Sequence, residues 1–323
     1  MSAAMHLREI EPENYAQIVL PQTAELWAND RTFETYVAQT LEIARSEYGK
    51  RSYRTFGLYD QTSAVASFKR YERTIRLDNL RLRAFGIGAV FTPPHFRGRG
   101  YASAMLALLL DEARAAGIDV AYLFSDIHPQ FYKTIGFVEL PSRSISIRSD
   151  RLDGSRIAVE AIGEREWTGV RKCFDALASR RDWGFERSPI VWDWLRMRIR
   201  HGSEHAAGQA TNLAMKRGRS IVGYVLGQRE PAHDCYVVDE VGFADEAAMA
   251  ELPRLLRSAA GDLRRVTGWL PLPPVRDLLP RGSVRKRTGA VWMAAPLSVG
   301  GKSLIRRAQL AGTSDGVWSS DHI

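Results

Sequence analysis

Residues 94–102 read Pro-His-Phe-Arg-Gly-Arg-Gly-Tyr-Ala, between an apolar run ending at Phe91 and a Leu-rich run. Pro93 and Pro94 force an extended exit from the first run, and the second starts as a helix near Gly100. The first turn of a helix leaves about four N–H groups unpaired and carries partial positive charge. The loop offers no Ser, Thr, Asp or Asn to cap them. Gly98 and Gly100 lack the Cβ atoms that would hold a ligand off the backbone, and Arg97 and Arg99 attract anions. A diphosphate is the ligand this arrangement suits. The alternative is a solvated basic turn.

Other side chains could move protons. Asp126 and His128 follow the apolar run 120–125 directly, at the sheet edge where α/β sites lie. Both are candidate bases, and either could instead cap the next helix. Glu72 is a third candidate base, or a solvated strand end. The phenol of Tyr132 has a reference pKa of about 10, so at neutral pH it can donate a proton. Its alternative is packing beneath a sheet. Cys173 and Cys235 have no neighbouring Cys or His at metal-ligand spacing, so no metal is expected and both read as small buried hydrophobes.

These groups need a scaffold. Residues 34–48 have helical spacing, then 54–60, 64–72 and 80–91 read as strands separated by polar turns. Residues 101–116 form the clearest helix, with Leu106, Leu109, Leu110 and Ala113 on one stripe and Gly117 as its stop. Residues 120–125 read as a central strand, a short helix starts at Pro129, and strands 137–140 and 142–152 close the half. The second half repeats the order weakly. A helix-rich stretch (166–200) leads to strands around 211–218, 220–228 and 235–243 and a helix at 247–260 disturbed by Pro253. A strand near 266, a short helix and a strand near 291–297 follow. We read an internal duplication.

Arg97-Gly98-Arg99-Gly100-Tyr101-Ala102 resembles the R/Q-x-x-G-x-G/A signature of the GNAT superfamily of N-acetyltransferases. Phe131-Tyr132-Lys133-Thr134-Ile135-Gly136-Phe137 is similar to a second segment of that superfamily. The resemblance covers roughly residues 5–150 well and 155–300 by element order alone. It implies an α/β fold of two GNAT-like (acyl-CoA N-acyltransferase) domains, each a mixed central sheet flanked by helices. The expected partition is 1–152 with the acetyl-CoA site, 153–300 as a degenerate copy and 301–323 as a C-terminal tail.

The resemblance also implies roles. Arg97, Gly98, Arg99, Gly100, Tyr101 and Ala102 would cradle the pyrophosphate of acetyl-CoA, the co-substrate. Val90, Phe91 and Thr92 would hydrogen-bond its pantetheine arm, and Tyr132 would protonate the leaving thiolate. In the enhanced-intracellular-survival aminoglycoside acetyltransferases, which with mycothiol synthase share the tandem plan, the C-terminal carboxylate sits in the active site. The finish Gly-Val-Trp-Ser-Ser-Asp-His-Ile is apolar and aromatic enough to be buried, which makes Ile323 a catalytic candidate. The second copy carries Gly-Phe-Ala-Asp-Glu-Ala where the phosphate loop should be, and Asp245 and Glu246 would repel a diphosphate.

Composition sets outer bounds. The 323-residue chain has a net charge of +8, which favours an anionic partner without choosing among them. The stretch 180–202, with Trp192, Trp194, Arg196, Arg198 and Arg200, reads as an amphipathic helix rather than a nucleic-acid surface. No apolar run is long enough to span a bilayer and no secretory leader is evident, so a cytoplasmic location is expected. The expected activity is acetyl transfer to an amine, on a small molecule or peptide. Glu25, Asp30 and Glu34 could attract a polycation or be solvated helix faces. Other acyl donors, a thiol-pathway role, acetyl-CoA sensing and nucleic-acid binding are the alternatives, and oligomerisation stays open.

Overall fold

The computed structural model describes residues 5–126, 129–205, 209–269, 273–311 and 316–323. They build two mixed sheets flanked by helices, two GNAT-like domains. The first sheet runs His6–Glu9, Tyr53–Asp60, Ser63–Leu77, Leu80–Phe91, Val120–Ser125, Val291–Pro296 and Val138–Glu139, with Trp183–Phe185 added to the far end of Ser63–Leu77. The second runs Glu160–Ala161, Leu213–Arg217, Ser220–Glu230, Cys235–Phe243, Arg265–Trp269, Arg143–Arg148 and Val284–Lys286. Read along the chain, the two orders are the same. Each contains one parallel pair, Leu80–Phe91 with Val120–Ser125 and Cys235–Phe243 with Arg265–Trp269.

The halves trade strands. Arg143–Arg148 lies in the second sheet against Arg265–Trp269, while Val291–Pro296 lies in the first between Val120–Ser125 and Val138–Glu139. With cuts at 152 and 300, each sheet would hold one strand from the other half of the chain. The expected tail also begins inside a helix, Val299–Ala311, whose Leu304, Ile305 and Ala308 pack on the first sheet. Met293 and Ala294 are fully buried between their two strand neighbours.

Local rules account for the elements that frame the site. Helix Tyr101–Ala115 buries Met105, Leu106, Leu109, Leu110 and Ala113 on one face of the first sheet, and Gly117 at φ +69° ends it. Thr32 caps Phe33–Arg45, part of a layer (Pro12–Ile18, Leu20–Trp27 and Phe33–Arg45) that covers the opposite face. Helix Pro189–His205 bridges the domains. Its Trp192 sits in the second core, and its Trp194 stacks on Tyr48 of the first at 4.5 Å. Both indoles are buried, so neither is presented as a nucleic-acid platform.

Candidate active site

The parallel strands of the first sheet part company. Their ladder runs from Ala84 opposite Val120 to Gly86 opposite Tyr122 and stops there. Beyond it, the pairing of Leu80–Phe91 with its other neighbour slips: Lys69 faces Gly88, yet Ser67 faces Phe91. The extra residue is a bulge, with Ala89 at φ +50°, a conformation few non-glycine residues adopt. Backbone groups of residues 87–91 are thereby released toward a wedge between the two strands. Val90, Phe91 and Thr92 follow the bulge, and the buried Oγ1 of Thr92 has no hydrogen-bond partner among the described residues.

At the mouth of the wedge lies the basic loop. Gly98 and Gly100 have φ of +76° and +79°, and no atom stands within 4 Å of where a Cβ would be. Gly100 begins helix Tyr101–Ala115 with no side-chain cap and no acidic residue in the first turn. These are the open donors a diphosphate needs, so the residues fit the diphosphate of an acyl-CoA. Two side chains serve the loop itself. Arg97 Nε donates to Thr92 O at 3.0 Å, and the Tyr101 hydroxyl donates to Asp60 at 3.2 Å. Arg99 and the first-turn backbone, including Ala102, are left facing solvent or half-buried.

The second copy differs at the same place. Asp245 precedes its helix and accepts from Ala248 N at 2.7 Å, while Arg217 pairs with its carboxylate at 3.1 Å. The chain's own carboxylate fills the position an anion would take.

From the opposite end of the sequence, the C-terminus reaches the wedge. A Cβ built on Gly88 would lie 3.7 Å from both the carboxyl carbon and an oxygen of Ile323. Ile323 packs against the clusters that contain Tyr122 and Trp194. A buried charge cluster holds this segment: Asp321 pairs with Arg73 at 3.0 Å and Arg187 at 3.1 Å. Arg187 also pairs with Glu240 at 2.6 Å, which accepts from Tyr224 at 2.5 Å. The two arginines hold the Asp321 carboxyl below its ordinary pKa despite burial. Sequence reasoning missed Arg73, Arg187, Glu240 and Asp321, because the chain separation of 248 residues between Arg73 and Asp321 leaves no local signal.

Tyr132 lies on the side of the first sheet covered by helix Tyr101–Ala115. It packs with Phe131 and Phe137 against the cluster under helix Tyr101–Ala115, alongside Val90. Burial, then the nearby Asp126 charge, raises its pKa, so the phenol stays protonated. Asp126 itself accepts from Ala290 N at 2.9 Å, tying down the loop into Val291–Pro296 rather than the helix after it. His128 lies outside the described residues. Glu72 pairs with Arg70 at 2.6 Å. Cys173 and Cys235 are buried, and burial pushes the Cys173 thiol up to about 11.

Comparison with known proteins bears on the fold. Residues 18–139 match the acetyltransferase (GNAT) domain family. A GCN5-related N-acetyltransferase from Anabaena variabilis shares 15% identity at a TM-score of 0.69, over 92% of this chain and 74% of its own. Eis1 from Mycobacterium abscessus shares 14% at 0.60, over 92% and 74%. A tandem GNAT protein from the clavulanic acid biosynthesis pathway shares 10% at 0.53, over 91% and 99%. No curated protein matches in sequence. Residues 18–139 thus resemble a GNAT acetyltransferase domain, and the chain as a whole shares the fold of these tandem GNAT structures.

Proposed function

We propose that the protein is an acetyl-CoA-dependent N-acetyltransferase with one working site, in the first domain. The observation that carries this is the pairing of an uncapped, glycine-lined helix start with a wedge in the first sheet, with Tyr132 on the side covered by helix Tyr101–Ala115 and the Ile323 carboxylate near Gly88. Gly98–Ala102 backbone N–H groups and Arg99 hold the diphosphate, and residues 90–92 orient the pantetheine arm. Acetyl-CoA supplies the thioester.

The acceptor ammonium, with a reference pKa near 10.4 if lysine-like, must lose a proton before it attacks. The Ile323 carboxylate, on the acceptor side, accepts that proton directly or through water. The C–N bond forms as the C–S bond breaks, and Tyr132 donates its proton to the departing thiolate. Acid–base help of this kind is worth about 10²–10⁴-fold. The phosphate loop stands once, so the second domain serves as a platform that exchanges a strand and anchors the tail.

Titration with acetyl-CoA tests the reading. Thermal protection that the double change Arg99→Asp, Gly100→Glu abolishes is expected. No shift at acetyl-CoA far above the usual micromolar-to-millimolar range of KM values would overturn it.

A further inference from the structure

The face of the first sheet that carries Ile323 also carries Ser67, Lys69, Tyr71 and Arg73, alternate residues of one strand. Asp321 neutralises Arg73. Lys69 is different. Its Nζ stands 5.7 Å over the Tyr15 ring and 5.9 Å over the Tyr36 ring, and it makes no ion pair among the described residues. Burial, then the Arg31 charge, lowers its pKa to about 8.

Arg31 shares the Tyr36 ring, 5.1 Å from its centre. Its hydrogen bonds go to neutral acceptors: Ala28 O at 2.8 Å, Gln39 Oε1 at 2.9 Å and Trp27 O. The Nε2 of Gln39, a residue only 6% exposed, has no partner among the described residues. Two cations and an unused amide donor thus gather under the N-terminal helices without an anion. Burying charge this way is costly unless something pairs with it.

Ser67, two residues before Lys69 on the same strand, lines a cavity of about 520 Å³ whose lining also includes Gln22, Phe91, Arg8 and His95 and no carboxylate. Ser67 precedes Lys69 on the same strand face, and Phe91 ends the strand that forms the wedge. In register, Lys69 lies opposite Gly88, the residue the Ile323 carboxyl approaches. A positive group and a negative group therefore look onto the same side of the sheet one strand apart.

Building on the proposed function, we propose that the acceptor is an amine that also carries a carboxylate, an amino acid or peptide. Its carboxylate would pair with Lys69, backed by Arg31 and Gln39 Nε2, and its amine would face Ile323. A polycation would meet Lys69 and Arg31 instead, and the acidic Glu25, Asp30 and Glu34 are exposed on the outside of the helical layer.

Matched acceptors test this by release of free CoA: L-lysine against cadaverine, glycylglycine against its amide, and kanamycin as a polycation. The carboxylate-bearing member of each pair should show kcat/KM at least about tenfold higher, the scale of one charged hydrogen bond. Lys69→Met should raise the KM for that member by a similar factor, leave the KM for acetyl-CoA unchanged, and melt no lower than the parent. Lys69→Arg should retain most of the preference. The inference is overturned if the uncharged partners or kanamycin are equal or better substrates. It is also overturned if Lys69→Met weakens acetyl-CoA itself, which would place the cations on the co-substrate. Turnover of no panel member by protein that acetyl-CoA still protects would sink this inference alone, whereas absence of that protection would remove the proposed function as well.

Discussion

Arg73 on the first sheet and Asp321 near the C-terminus meet at 3.0 Å with side chains 0% and 3% exposed. Arg187, from the segment between the two cores, joins the same carboxylate at 3.1 Å. One acid thus neutralises two arginines from different parts of the chain, and the last two residues follow it to the wedge. Removing it would leave both guanidiniums buried without that counter-charge. Asp321→Ala should therefore destabilise the fold by about 3–5 kcal/mol, the cost typical of breaking a buried pair from one side. Urea unfolding measures it. A loss under about 1 kcal/mol would mean that Glu240 alone suffices to neutralise Arg187 and that Arg73 finds water.

If the Ile323 carboxylate is the base, its position matters more than its side chain. Deleting Ile323 moves the terminal carboxylate back by one residue and should lower kcat by about 10²–10⁴-fold. Acetyl-CoA affinity should not change, because the phosphate loop lies at the mouth of the wedge and is built without the tail. Steady-state kinetics beside a thermal-shift titration separates the two. Unchanged kcat would transfer the base role to a water chain.

What could be read from the sequence divides along the reach of its signals. The loop 97–102 and the strand Val120–Ser125 were legible because turn glycines and apolar runs act within a few residues. Pro253 was expected to disturb one long helix, and the structure has two there, Glu246–Met249 and Leu252–Ala260. The exchange of Arg143–Arg148 for Val291–Pro296 was not legible, since an apolar strand carries no mark of which sheet will bury it. Nor was the bulge at Ala89, because alanine carries none of the glycine that usually announces a positive φ. Lys69 carries no local signal in the sequence. Only the register opposite Gly88 gives it a place.

Acid should loosen the tail through His322. Its ring packs between Phe124 at 5.0 Å and Trp269 at 5.8 Å, and Nε2 has no partner among the described residues. Burial, then the Arg198 charge, lowers its pKa to about 4. The unfolded chain takes up this proton near pH 6.5 while the folded chain resists until about 4. The folded state therefore holds this contribution above about pH 6.5 and loses it as pH falls toward 4. Asp239 works in the opposite sense, because burial raises its carboxyl to about 6 and the folded chain keeps that proton more readily. Comparing the protein with His322→Phe isolates the histidine. Stability of the variant should fall less between pH 6.5 and 4 than that of the parent, and identical slopes would exclude His322 as the titrating group.

Gly86 gives a way to move the carboxylate without touching a charge. A Cβ there would lie 2.2 Å from Ile323 Cδ1 and 2.7 Å from the Tyr122 ring. Tyr122 is fully buried and locked in register opposite Gly86, so it cannot yield cheaply. The end of the Ile323 side chain can. Gly86→Ala should push the tail outward, cost about 1–3 kcal/mol as overpacking does, and lower kcat while acetyl-CoA binding holds. Ile323→Ala keeps the terminal carboxylate and clears the colliding methyl, so adding it should return part of both losses. The double-mutant cycle measures that coupling directly. Strict additivity would show that the new methyl strains only Tyr122, and that Ile323 does not rest on Gly86 in solution.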